Sequence, residues 1–106
     1  MDLVLFCVKT YDLGAAAEQT RPMVSDDTMV PTVLNGVDSV ERLTRILGKD
    51  CVIAGATYAG GIKVEPGVVA YWGVRADLMF GEPEGGENER TERLLETFEK
   101  AGLPAE

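Results

Sequence analysis

Hydrophobic and polar positions divide the chain into a first half with alternating strand and helix patterns and a second half dominated by short β-like runs. The residues from Leu3 to Val8 form one continuous apolar run, which predicts a strand buried on both faces. Residues 28–34 and 51–54 are predicted as the next two strands. Pro31 removes one interstrand hydrogen bond, so we expect it at the start of its strand or at an irregular position.

Helical patterns lie between these strands. The first predicted helix is capped by Asp12 and runs to about Met23. The second is capped by Asp38 or Ser39 and ends at Gly48. Its apolar residues share one face: Val40, Leu43, Ile46 and Leu47. Strict alternation of strands and helices predicts βαβ units and a parallel sheet with right-handed crossovers.

The pattern changes after residue 59. Residues 68–72 and 78–80 are short β-like runs between glycines, which indicates antiparallel strands added to the edge of the parallel sheet. Tyr71 and Trp72 are expected at core or edge positions. A polar loop at residues 84–88 precedes a third helix at 89–101. That helix points three apolar side chains inward: Leu94, Leu95 and Phe98. The predicted fold is therefore α/β, a partial Rossmann-type fold with parallel βαβαβ, antiparallel edge strands and a C-terminal helix.

Composition narrows the classes of function. A chain of 106 residues holds at most one domain. Its 10 basic and 18 acidic residues give a net charge of −8, which argues against binding to a nucleic-acid backbone. The sequence lacks a membrane-spanning run and a secretory signal, so we expect a cytoplasmic protein. It has no histidine, so no metal site is predicted, and Cys7 and Cys51 are expected to be free, core-like thiols.

The candidate chemistry lies where the first two predicted strands end. Lys9 follows the first strand, and Asn35-Gly36 follows the second. Ligands of open α/β sheets bind at the carboxyl ends of the strands, where an ammonium group holds a carboxylate, a ribose hydroxyl or a phosphate oxygen. From the residues alone, Lys9 is equally well explained as a surface lysine, and Asn35-Gly36 is better explained as a simple turn.

The order and spacing of short motifs resemble those of the ketopantoate reductase (2-dehydropantoate 2-reductase) family. The motifs are Val8-Lys9-Thr10, Leu34-Asn35-Gly36-Val37, Gly55-Ala56-Thr57 and Pro66-Gly67. The resemblance covers nearly the whole chain but only the second half of that family's N-terminal nucleotide-binding domain. It implies an NADP-dependent reductase that converts 2-dehydropantoate, or a related 2-oxo acid, to the 2-hydroxy acid in pantothenate and coenzyme A biosynthesis.

The resemblance also assigns roles to individual residues. Lys9 and Asn35 are expected to bind both substrate and cofactor, and Gly36 and Thr57 to lie against the cofactor. No catalytic residue is expected in this chain, because the family's general-acid lysine and substrate-binding glutamate lie in a helical domain that would begin just beyond Glu106. Two further residues are weaker candidates: Thr10 flanks the same edge, and Glu82 is either a ribose ligand or a solvated carboxylate.

Two parts expected of the complete family protein, the Gly-rich turn and the helical domain, are missing from the sequence. The Gly-x-Gly-x-x-Gly turn that holds a pyrophosphate is absent, and the chain begins directly on a strand, so we expect a piece of a longer protein that is inactive alone. One alternative is a non-catalytic chain that dimerises or binds another polypeptide, and another is a different hydroxy-acid dehydrogenase of the same fold. The bare edge from Leu3 to Val8 predicts a homodimer paired through that strand.

Overall fold

The computed structural model describes residues 1–34, 38–57, 60–72 and 78–106. The expectations for Asn35 and Gly36 therefore lie outside the described residues. The described residues form three helices and five strands: α1 (Leu13–Thr20), α2 (Ser39–Leu47), α3 (Glu89–Lys100), β1 (Val30–Thr32), β2 (Val52–Thr57), β3 (Gly60–Glu65), β4 (Val68–Trp72) and β5 (Leu78–Gly81).

The main sheet combines parallel and antiparallel pairing. β1 pairs parallel with β2, with Val30 opposite Val52, and β5 pairs antiparallel with the other side of β2. The last residues of the chain run along β5, where the Leu78 amide donates to the Pro104 carbonyl at 2.9 Å. A parallel α/β core with an antiparallel strand added to it is confirmed.

An edge segment, residues 3–8, lies parallel to β1 on its free side. The Val4 amide donates to the Met29 carbonyl at 2.9 Å. Phe6 is the one fully buried side chain of this segment, and Leu5 and Cys7 are exposed. The expected burial on both faces is wrong, and so is a core position for Cys7. The reason is that α3 covers the sheet centre around Ile53, and Leu5 and Cys7 lie on the same face but beyond that helix.

Pro31 explains why the edge segment is not a regular strand. The parallel register would direct an amide of residue 31 at the Val4 carbonyl, but proline has no N–H. The pairing is thereby reduced to two isolated bridges, Leu3 with Met29 and Phe6 with Thr32. The predicted loss of one interstrand hydrogen bond is confirmed, at the side of β1 that faces this segment.

Two apolar cores lie on opposite faces of the sheet. The first is packed by α1 and α2 and contains Phe6, Leu13, Ala17, Val30, Leu43, Cys51 and Val52. The second is packed by α3 and contains Met29, Ile53, Leu94 and Phe98, with the Phe80 and Phe98 rings stacked at 5.1 Å between centroids. Burial of a large aliphatic or aromatic side chain contributes about 1.5–3 kcal/mol, so these two clusters hold the helices on the sheet.

The helix ends agree with the sequence expectations at α3 but not at α1. α3 has a capping box, in which the Asn88 side chain accepts from the Thr91 amide at 3.1 Å. α1 is shorter than predicted and lies between two 3₁₀ turns, Thr10–Asp12 and Arg21–Met23. Asp12 occupies the cap position of α1, but its side chain makes no cap hydrogen bond.

β3 and β4 form a separate two-stranded hairpin. Residues 68–72 were expected on the edge of the parallel sheet, and that is wrong, because β4 pairs with β3. No strand was predicted at residues 60–65. Large apolar side chains are exposed on the hairpin: Ile62, Val64, Val68, Val69 and Tyr71. Of the two positions expected for Tyr71, core or edge, the structure shows an edge position. Successive residues of a strand face opposite sides, so Val68 and Val69 expose apolar surface on both faces of the hairpin.

Candidate functional site

The carboxyl ends of the edge segment, β1 and β2 lie at one edge of the sheet, because these three segments run parallel. Lys9 follows the edge segment, Thr57 ends β2, and Leu34 follows β1 toward Asn35 and Gly36, which lie outside the described residues. Neighbouring strands are about 4.8 Å apart, so Lys9 and Thr57 are separated by roughly 10 Å across the sheet. The structure thus brings Lys9 and Thr57 to the expected edge, with the end of β1 between them.

Lys9 stands at a turn of the backbone. Its own backbone is extended, with φ −69° and ψ 152°, and its carbonyl accepts from the Asp12 amide at 2.9 Å as the 3₁₀ turn begins. The Lys9 side chain is exposed, and its ammonium forms no ion pair with a described residue. A cation is therefore available at this edge for a carboxylate or a hydroxyl group.

Arg42 approaches the same edge from α2, and sequence reasoning missed it. Its Nη1 donates to the Thr10 carbonyl at 3.0 Å in a partly buried hydrogen bond. Thr10 therefore contributes a backbone acceptor at this edge. Arg42 occupies an ordinary polar position of an amphipathic helix, so periodicity alone contained no signal for this contact.

Gly55 has a packing role. A Cβ at this position would lie 2.9 Å from the Thr32 carbonyl oxygen and 3.1 Å from Cδ1 of Phe80. The sequence left open whether small residues here make room for a cofactor or serve strand packing, and the contacts of Gly55 support packing. Beside it, the Thr32 side chain is 1% exposed, and its hydroxyl has no hydrogen-bond partner among the described residues.

Glu82 lies at the opposite, amino end of β2, away from Lys9 and Thr57, so the expectation of a ribose ligand is wrong. Its carboxylate is paired with Arg90 and is 13% exposed, so the expectation of a solvated carboxylate is also wrong. Its Oε1 accepts from Nε of Arg90 at 2.6 Å, and its Oε2 accepts from Nη2 at 2.5 Å. The side-chain amide of Asn88 donates a third hydrogen bond, from Nδ2 to Oε1 of Glu82 at 2.7 Å. The hydrogen bonds from Arg90 are the main reason that the pKa of Glu82 lies below its usual value.

Arg90 also binds the backbone at the start of β2. Nη2 donates to the Val52 carbonyl at 3.1 Å, and Nη1 donates to the Asp50 carbonyl. A groove of about 480 Å³ opens beside this pair, with Lys49 and Glu84 among its walls. Because the partly buried charges of Arg90 and Glu82 neutralise each other, we interpret this end of the sheet as a structural junction.

Three further features of the described residues concern metal binding, membrane insertion and thiol reactivity. Among them, no group of three or more His, Cys, Asp or Glu side chains is placed to hold a metal ion. No helix in the described part of the chain is both long and apolar enough to cross a membrane. Both thiols are free, and burial raises the pKa of Cys51, whose Sγ donates to the Gly48 carbonyl at 3.4 Å.

Curated relatives match almost the whole chain. The 2-dehydropantoate 2-reductase of Pyrococcus horikoshii is 34% identical over 105 residues, which are 99% of this chain and 34% of the relative. The enzyme of the same name from Aquifex aeolicus is 29% identical over 104 residues, 97% of this chain and 34% of the relative. The chain thus spans about a third of the length of these relatives.

Solved structures have the same fold. The 2-dehydropantoate 2-reductase of Geobacter metallireducens superposes with a TM-score of 0.88 at 31% identity, over 99% of this chain and 35% of that one. A D-mandelate dehydrogenase in a ternary structure with NADH and anilino(oxo)acetate reaches 0.84 at 19% identity, over 100% of this chain and 34% of that one, which shows the fold alone. The family model for ketopantoate reductase PanE/ApbA matches residues 1–85. The chain therefore belongs to the ketopantoate reductase family.

Proposed function

We propose that the chain is part of an NADP-dependent reductase that converts 2-dehydropantoate, or a related 2-oxo acid, to the 2-hydroxy acid in the cytoplasm. The observation that carries this proposal is the exposed ammonium of Lys9 at the carboxyl edge of the sheet, in a chain of the ketopantoate reductase family. The two relatives named above are 2-dehydropantoate 2-reductases, which favours this substrate.

The chemistry of the donors fits such a ligand. The Lys9 ammonium suits the carboxylate of a 2-oxo acid or a ribose hydroxyl, and we assign Asn35 to the same substrate and cofactor. Gly36 and Thr57 are proposed to border the cofactor. When bound, the nicotinamide supplies the hydride for the ketone. Lys9 and Asn35 orient the reactants, and the proton comes from a group outside this chain.

The remaining two thirds of such a reductase would supply the other functions. We propose that this chain is a partial nucleotide-binding domain, and that the Gly-rich turn for the pyrophosphate and the helical substrate domain belong to the rest. The chain alone is then inactive. It binds a whole dinucleotide weakly, because only the nicotinamide side of the site is present.

A second proposal concerns the edge segment. The Val4 and Phe6 amides donate toward β1, so the Leu5 amide between them points away from it, and no described residue accepts from it. A two-fold axis perpendicular to the sheet would pair residues 3–8 with a second copy and satisfy these groups. We propose a homodimer formed in this way, and dimerisation without catalysis is the alternative function that this edge favours. A different hydroxy-acid dehydrogenase remains the other alternative, because the D-mandelate dehydrogenase shares the fold.

Titration followed by backbone NMR tests the assignment of Lys9. The probe is reduced nicotinamide mononucleotide, the half of the cofactor that this edge is proposed to bind. We expect the probe to shift the amide resonances of residues 8–12. Lys9→Ala should weaken binding of the probe about tenfold or more, because it removes a charge-assisted hydrogen bond. Lys49→Ala is the matched control, because Lys49 is an exposed lysine at the opposite end of β2.

Two results would count against the proposal. One is equal binding of the probe by wild type and Lys9→Ala, which would make Lys9 a surface residue. The other is calorimetric binding of NADPH by the chain at about micromolar affinity or tighter, on the order of 8 kcal/mol, which would show that the pyrophosphate turn is not needed.

A further inference from the structure

The Arg42 side chain joins α2 to the turn that follows Lys9. Its backbone lies in the first turn of α2, where the Arg42 amide donates to the Asp38 carbonyl at 2.9 Å. Residues 35–37 directly precede Asp38 in the chain. The Arg42 side chain reaches across to the turn after Lys9, where Nη1 donates to the Thr10 carbonyl at 3.0 Å. The contact therefore joins chain positions 32 residues apart.

The Arg42 guanidinium lies between the turn after Lys9 and the first turn of α1. Arg42 is half-buried, and its Nη2 lies 3.9 Å from the position that a Cβ on Gly14 would occupy, over the first turn of α1. A hydrogen bond from a charged donor to a carbonyl that is partly shielded from water is stronger than one in open solvent. The Thr10–Asp12 turn is only three residues long. Its other hydrogen bonds are local ones, from the Asp12 amide to the Lys9 carbonyl and from the Leu13 amide to the Thr10 carbonyl.

We infer that Arg42 is a positioning residue, which holds the turn after Lys9 at a fixed distance from the start of α2 and thereby fixes the position of Lys9 at the carboxyl edge of the sheet. This inference rests on the proposed function for its consequence, the pre-organised placement of Lys9 for its ligand. Arginine suits this role because its planar guanidinium presents several donors in a fixed geometry. Arg42 acts on the ligand only through the backbone of residues 9–12.

Arg45 provides a matched control on the same helix. It lies one turn further along α2, its side chain is 71% exposed, and it pairs with Glu41 at 2.8 Å. Arg42→Met and Arg45→Met each remove one guanidinium and keep an unbranched stem. Arg42→Lys keeps a cation that can still reach a carbonyl but loses the planar fork.

Amide hydrogen exchange is the first measurement, and it requires no ligand. In Arg42→Met, we expect the Asp12 amide to exchange about tenfold faster, the equivalent of one lost hydrogen bond from a charged donor. Arg45→Met should leave this rate unchanged, and Arg42→Lys should restore part of the protection. Equal exchange at Asp12 in Arg42→Met and Arg45→Met, with both variants folded by circular dichroism, would overturn the inference.

Titration with reduced nicotinamide mononucleotide is the second measurement. We expect Arg42→Met to weaken binding severalfold with partial rescue by Arg42→Lys, and Arg45→Met to bind as wild type. Loss of binding in Arg42→Met without faster exchange at Asp12 would mean that Arg42 contacts the ligand directly, which would also overturn the inference. If wild type itself fails to bind the probe, the proposed function fails, and the exchange rates still decide whether Arg42 holds the turn.

Discussion

Arg90 and Glu82 form a bidentate ion pair that ties the end of β5 to the start of β2. Their side chains are 22% and 13% exposed, so the pair is largely removed from water. Arg90 uses its remaining donors on the carbonyls of Asp50 and Val52. One side chain of α3 thus fixes the position of two neighbouring strands.

Glu82→Gln should lower the free energy of unfolding at pH 7 by about 1–3 kcal/mol, because it leaves the Arg90 charge without its partner. The folded pKa of Glu82 is below its unfolded value, which is about 4.3. The stabilisation by Glu82 is therefore complete above that value and is lost as the pH falls through the lower, folded pKa. Urea unfolding at pH 7, 5, 4 and 3 measures this, and the difference between wild type and variant should shrink toward pH 3.

Glu41→Gln is the control for this experiment, because Glu41 forms an exposed pair with Arg45. We expect a change below about 0.5 kcal/mol with little dependence on pH. A loss in Glu82→Gln no larger than in Glu41→Gln would contradict a structural role for the Glu82–Arg90 pair.

Gly55→Ala should destabilise the protein by about 1–3 kcal/mol through overpacking. The added Cβ would meet the Thr32 carbonyl oxygen at 2.9 Å, and backbone atoms of a central sheet cannot move aside easily. Gly61→Ala is the matched control in the exposed hairpin, where the nearest atom is Cγ1 of Val69 at 3.4 Å. Thermal unfolding of both variants is the measurement, and equal melting temperatures would show that the sheet tolerates a Cβ at residue 55.

Leu5→Pro should convert the proposed homodimer into a monomer. The substitution removes the outward-facing amide of the edge segment and leaves the hydrogen bonds of Val4 and Phe6 to β1 in place. Leu5→Ala loses the same side chain but keeps the amide, so it should still dimerise. Light scattering after gel filtration at roughly tens of micromolar, a concentration at which typical specific interfaces are occupied, distinguishes these masses. A monomeric wild type would refute the dimer.

The two cysteines should differ in reactivity toward iodoacetamide at pH 8. Cys7 is exposed and Cys51 is buried, and burial also raises the pKa of the Cys51 thiol, so less of it is present as the reactive thiolate. Mass spectrometry should find one adduct on the native protein and two in urea. Native Cys7→Ser should remain unmodified; rapid labelling of Cys51 in that variant would show that the α2–β2 junction opens readily.

The alternation of apolar runs and amphipathic helices was sufficient to predict the central α/β core, because each element there buries one continuous apolar face. Tertiary context decided the rest. Cys7 lies in an apolar run of the kind that forms buried strands, but it is exposed because α3 does not extend over it. Of the candidate site, the sequence located Lys9 and Thr57 at one edge of the sheet. It contained no signal for the contact of Arg42 with Thr10 or for the pairing of Glu82 with Arg90, because both join positions distant in sequence through polar residues common on any surface.

The hairpin of β3 and β4 also affects how the protein behaves as a colloid. Its exposed valines, with Val69 at 69%, attract other apolar surfaces, while the net charge of −8 keeps copies apart. Added salt screens the charge within about 10 Å at 0.1 M, and sulfate strengthens apolar association at the same time. Ammonium sulfate should therefore precipitate this protein at low concentration, and a phenyl chromatography matrix should retain it through the hairpin.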